Sequence, residues 1–271
     1  MPRAARLTGF VVLTFVLTWS AWLASARWGA RTPRLFGIGG PIFLLGVFAP
    51  ALVAIGLTAV RDGREGVRRL LSRIGRWQVK TRFYLFAVSY LAVIKLTAAV
   101  LHRAVLGGWP VFGDTPLPLM LGAILVSTWV QAGEEVGWRG YALPLLTASF
   151  GLGGASVVLG IIWAVWHLPL FFIPGTGSDG QSFPIYLLHV SALSVAMGWL
   201  YWKTNGSLLL VMLMHASVDN TTGIVPAAVA GASNPLSFAG SSMAVYTIVL
   251  SWLLAAALMK QMRGASIAID E

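Results

Sequence analysis

The stretch QAGEEVGWRG, residues 131–140, sets two adjacent carboxylates and a guanidinium inside one of the most apolar regions of a chain that is 57% hydrophobic. A charged side chain at mid-bilayer costs roughly 2.5–3.5 kcal/mol on insertion scales, so Glu134, Glu135 and Arg139 are an expensive set for one helix. Glu135 and Arg139 stand four apart with the acid on the N-terminal side, the favourable order for an intrahelical ion pair. Glu134 is rotated by about 100° from Glu135 at 3.6 residues per turn, and needs a partner from another helix or a proton.

Outward from this stretch the surroundings read as membrane. Of 271 residues only 10% are charged, and the mean hydropathy is +0.79. Windows of about 20 apolar residues recur at 7–26, 35–60, 83–101, 117–146, 153–173, 183–202, 207–227 and 243–259. They predict an all-α fold, a polytopic membrane helix bundle of about eight transmembrane helices, forming a single membrane domain over 1–271. The fourth window is long and must tilt or kink. The N-terminal apolar run is longer than a secretion signal and many spans follow it, so it reads as a retained helix. With no cysteine in the sequence, a thiol nucleophile, a disulfide and a thiolate-bound metal are excluded.

The formal net charge of +10 comes mainly from residues at the ends of apolar runs, where membrane anchoring explains it better than a nucleic-acid partner. The most basic connector, RDGREGVRRLLSRIGRWQVKTR (61–82), is expected on the cytoplasmic side. Counting from it puts both termini of a multi-pass membrane protein in the cytoplasm. Arg3, Arg6, Lys203, Lys260 and Arg263 agree, whereas Arg27, Arg31 and Arg34 run against it. Within the connector Val67, Leu70, Leu71 and Ile74 recur at helical spacing, which suits either an amphipathic helix on anionic headgroups or a solvated link. Trp28, Trp77, Trp109 and Trp202 flank the windows as interfacial anchors.

Two further apolar segments carry polar groups. In IIWAVWHLPLFF, Trp163 precedes His167 by one turn and is expected to stack on its face. In LLLVMLMHASVDN, His215 and Asp219 share a helix face and Asn220 is rotated away. Three helices can thus bring Glu134, His167, His215 and Asp219 into one polar cluster. A buried carboxylate beside an imidazole suits general-base activation of water, and a second imidazole oriented by Asp219 suits a donor to a developing oxyanion. This chemistry is that of a hydrolase of amide bonds within the membrane.

A lone intramembrane histidine is more often an interhelical hydrogen-bonding group, and an ion pair can serve only to fix helix register. That reading holds for His102 and His189, which have no motif around them; for the set of four it is the weaker one. A proton-coupled transporter also uses intramembrane acids and histidines, but the inverted repeats and paired broken helices of many transporters are not visible. A silent scaffold or immunity protein is a third reading. Serine and aspartyl proteases fit poorly, because no serine has a G-x-S-x-G setting and Asp114 falls in a connecting loop.

EEVGWR (134–139), WAVWH (163–167) and HASVD (215–219) together resemble the CPBP family, which contains the type II CAAX prenyl proteases and bacterial Abi-like proteins. Its pattern is EExxxR, an aromatic residue ahead of a histidine, then HxxxN or HxxxD, on three helices; the resemblance covers 117–225, the expected catalytic core. It implies an endopeptidase acting on membrane-delivered, CAAX-type peptides. Glu134 and His167 would activate water, His215 and Asp219 would stabilise the oxyanion, and Glu135 and Arg139 would support them. Trp163 stands where the eukaryotic pattern has phenylalanine, and Asp219 where many members have asparagine, which an ionised aspartate cannot replace as a donor. No cofactor is expected. A zinc-dependent version remains open, because Glu134, His167 and His215 would leave a fourth position free, although HExxH is absent.

Overall fold

A computed structural model describes residues 2–28, 40–221, 223, 225 and 232–265. Among these, the chain is helical throughout: α1 (Arg3–Trp28), α2 (Pro41–Ser72), α3 (Thr81–Leu106), α4 (Leu117–Val130), α5 (Ala132–Gly137), α6 (Leu143–Trp166), α7 (Phe183–Lys203), α8 (Leu208–Thr221) and α9 (Ser242–Gln261). Six stretches are long and apolar enough to cross a membrane, and α8 is a shorter apolar helix. The longest, Leu117–Phe172, holds two of the expected windows and breaks at Gly151, whose φ of 63° and ψ of 166° lie outside helical space. The expected kink in the fourth window occurs as a turn at Gln131 and a π-helical turn over Trp138–Ala142, directly after the paired glutamates. Arg31, Arg34 and the outer ends of the second and seventh windows lie outside the described residues.

Apolar side chains on α1, α2, α3, α4 and α9 point outward, as in Val16, Leu52, Leu85, Leu125 and Leu253, and give the bundle its lipid-facing belt. By contrast α7 and α8 are enclosed. At 14 residues, about 21 Å, α8 falls short of a 30 Å hydrocarbon core and is tolerated because protein surrounds it.

The basic connector departs from both expectations for it. Gly63 breaks α2, and the remainder turns Gly66, Leu70 and Arg73 inward, with Leu71 and Ile74 packed on the core. Its apolar side is therefore satisfied by protein rather than by headgroups. Buried Arg73 donates to the carbonyl of Gly140 at 3.1 Å and to the Tyr201 hydroxyl at 2.8 Å. Arg76 donates to the Asn205 carbonyl, and Ser207 Oγ donates to the Arg76 carbonyl at 2.6 Å. The connector thus sits at the C-terminal end of α7.

Candidate active site

Glu134, Glu135 and Arg139 are held by α5 and the π-helical turn. Close approach to α2 fixes this segment. A Cβ on Gly137 would lie 2.6 Å from backbone atoms of Pro50, and one on Gly133 about 3.0 Å from Phe48 and the Val47 carbonyl. Gly133 and Gly137 are four apart, the small-xxx-small spacing that lets membrane helices touch at backbone distance. A π-helical turn widens the helix by one residue and often occurs at functional sites; here it follows the acids and carries buried Arg139.

The ion pair expected between Glu135 and Arg139 is present and fully buried, with one guanidinium nitrogen at 2.8 and 3.1 Å from the two carboxylate oxygens. Arg139 also lies over the Trp163 ring at 4.2 Å, a cation–π contact in a dry setting. The second Glu135 partner is new. His215 Nδ1 donates to Glu135 Oε1 at 2.8 Å, while Asp219 Oδ2 is 3.8 Å from His215 Nε2. Glu135 is therefore the nearer carboxylate to His215, and Asp219 stands at ion-pair distance from its other ring nitrogen. Asp219 is about half exposed and accepts a 2.7 Å hydrogen bond from buried Gln131.

Trp163 is the hub of the cluster. Its Nε1–H donates to Glu134 Oε2 at 2.7 Å, and this neutral donor is the partner that Glu134 lacked in the sequence reading. Its ring meets His215 edge-on at 5.0 Å and His167 edge-on at 5.8 Å, so the contact with His167 is not the stacking expected. The two imidazoles flank the indole that holds Glu134.

His167 caps the C-terminus of α6 instead of lying mid-helix. Its Nδ1–H donates to the Trp163 carbonyl at 2.9 Å, since a carbonyl can only accept. That leaves Nε2 with its lone pair available, as a general base or water-holding acceptor requires. Helix α1, which carries no motif, secures this end. Trp19 Nε1 donates to the Trp166 carbonyl at 2.9 Å, and Trp166 Nε1 donates to Thr18 Oγ1 at 2.8 Å. Asn220 points away from the cluster and bonds Ser127, and His102 bonds Ser242, so both are structural.

No three His, Asp or Glu side chains among the described residues are arranged to hold a metal ion. Glu134, His167 and His215 thus reach one cluster without forming a ligand set.

The Trp163 donor carries a test. Trp163→Phe keeps the ring beneath Arg139 and removes the N–H to Glu134. A hydrogen bond to a charged group is worth about 1.5–3 kcal/mol, so turnover of a membrane-delivered peptide is expected to fall on the order of tenfold or more. The melting temperature followed by tryptophan fluorescence should fall as well, because the same bond satisfies a buried carboxylate. Unaltered turnover would mean that this bond does not hold Glu134 for catalysis.

The fold and this cluster define a polytopic helical protein with an acid and two imidazoles gathered inside the bundle. Its sequence matches a model of the family described as type II CAAX prenyl endopeptidase Rce1-like over residues 115–221. It is also 25% identical over 230 residues to CAAX prenyl protease 2 of Methanococcus maripaludis, which covers 78% of this chain and 81% of the relative. The protein is an intramembrane endopeptidase. Both matches are to proteins of the kind the three motifs resemble, the CPBP intramembrane proteases.

Proposed function

We propose that this protease cleaves membrane-delivered peptides, with prenylated CAAX-type peptides as its substrate class, through Glu134 and His167 acting together on a water molecule. Glu134 is the general base, the free Nε2 of His167 positions the water, and the proton taken from that water passes to the leaving amine nitrogen as the C–N bond breaks. The attacked carbonyl would gain its negative charge opposite His215. With Nδ1–H engaged by Glu135, a protonated His215 offers Nε2–H to the oxyanion, and Asp219 on that side steadies it. Glu135 and Arg139 are positioning residues. The observation that carries this reading is the 2.7 Å bond from Trp163 to Glu134, made by a ring that touches both histidines.

The test is cleavage of a farnesylated fluorogenic peptide in proteoliposomes. A metal-free mechanism predicts undiminished turnover after prolonged treatment with a strong chelator. Loss on chelation with recovery on adding zinc would establish the zinc-dependent version instead.

Orientation belongs to the same proposal. The basic connector packs at the Lys203 end of α7, whereas His167 and Tyr186, with rings 5.5 Å apart, meet near the Phe183 end. The 21 residues of α7 separate these ends by about 30 Å, a full hydrocarbon core. With the connector and both termini cytoplasmic, the site opens toward the opposite face. Because the sequence has no cysteine, single-cysteine variants report this cleanly. Gly177→Cys should react with an impermeant maleimide in intact cells, and Gln78→Cys only after permeabilisation. The reverse pattern would invert the topology.

A further inference from the structure

A cavity of about 560 Å³ opens beside His167 and Asp219 and extends between α3, α7 and α9. Leu91, Ile185, Met243 and Ile248 contribute apolar wall. Its polar lining includes a lysine and a histidine that the mechanism does not use. Lys95 from α3 is only 9% exposed, and His189 from α7 has its Nδ1 buried without a hydrogen-bond partner. Among the described residues no carboxylate, hydroxyl or carbonyl partners the Lys95 ammonium, which lines the same cavity as His189. A buried cation without a counter-ion is among the costliest features a membrane protein carries, and a specific unsatisfied group calls for an explanation.

We propose that Lys95 is the anchor for the C-terminal carboxylate of the substrate peptide, with His189 as a second polar contact. This rests on the protease reading above and adds to it the end of the substrate that the enzyme recognises. The occupant must be anionic at one end, to compensate Lys95, and apolar along its length, to match the wall. A peptide that ends in apolar residues with a free carboxylate has both properties. Lys95, His167 and Asp219 line the same cavity, so a carboxylate held at Lys95 keeps the end of the chain in the space that opens beside the catalytic groups.

The experiment compares two forms of one dansylated, farnesylated tetrapeptide, the free acid and the C-terminal amide, binding in detergent to the intact Glu134→Gln protein, where cleavage is blocked. The acid is expected to bind at least tenfold more tightly, since the amide leaves the buried Lys95 charge unpaired. Adding Lys95→Met should erase the preference while leaving amide affinity unchanged, and Lys95→Arg should keep most of it. Equal binding of acid and amide, or no binding of either, overturns the proposal. So does a preference that survives Lys95→Met. Because acid and amide differ only in the ligand, the comparison stands even if Lys95→Met fails to fold. Acid bound through Lys95 but never cleaved by the unmodified enzyme would remove the protease reading and leave the anchor intact.

Discussion

Replacing Glu134 by glutamine is expected to lower cleavage of a farnesylated peptide in proteoliposomes by about 10²–10⁴-fold, the range that general-base catalysis contributes. Glutamine is nearly the same size, and its carbonyl oxygen can still accept from Trp163 Nε1, which now bonds Glu134 Oε2 at 2.7 Å. What it cannot do is take a proton from water. The buried packing around Trp163 and Arg139 should survive, and the melting curve should not move.

His167→Ala is expected to produce a loss of the same order, for a different reason. The ring's Nδ1–H faces the Trp163 carbonyl, so the working nitrogen is Nε2. If acid and imidazole act on one water, removing both should cost little more than removing the worse of the two, as happens when groups function as a unit. Multiplicative losses would assign them to separate steps. Turnover by Glu134→Gln at the unmodified rate would exclude Glu134 as the base and move the reaction elsewhere in the bundle.

The acids and histidines stood out in the sequence because charge inside an apolar helix is costly enough to mark function. The same criterion was available at Lys95, a lone cation within the 83–101 window, which went unread because no partner motif lay beside it in sequence. Other contributors carry no such mark. Gln131 is an uncharged residue at a helix junction, and only the fold brings it to Asp219. The spacing of Trp163 points to a ring stacked on His167 and gives no sign that its N–H holds Glu134. Asp219 shares a helix face with His215, and spacing alone made it the orienting acid. Glu135, eighty residues away in sequence, reaches the imidazole first. Periodicity ranks residues along one helix and cannot rank contacts between helices. The helical windows were legible for the opposite reason, since hydrocarbon thickness fixes their length whatever their neighbours.

The spacing of Gly133 and Gly137 frames the two glutamates, and it makes Gly137 the position where the smallest change should do the most structural harm. A methyl group there meets the backbone carbon and oxygen of Pro50 at 2.6 Å, and helix backbone cannot swing aside as a side chain can. Pro50 lies inside α2, so relief requires separating α5 from α2 along their contact. Overpacking of this kind costs typically 1–3 kcal/mol, and moving a reacting group by about 1 Å can cost 10²-fold in rate. Gly137→Ala is therefore expected to lower both the melting temperature and turnover sharply. Gly133→Ala, whose added carbon meets the Phe48 ring and the Val47 carbonyl at 3.0 Å, should do less on both counts. Gly151→Ala, with open space around it but a left-handed backbone, should lose stability with a smaller effect on turnover. A Gly137→Ala protein as stable and active as the unmodified one would mean that α5 is not held against α2 at backbone distance. The register that presents Glu134 to Trp163 would then have to be set from the α4, α6 and α8 side.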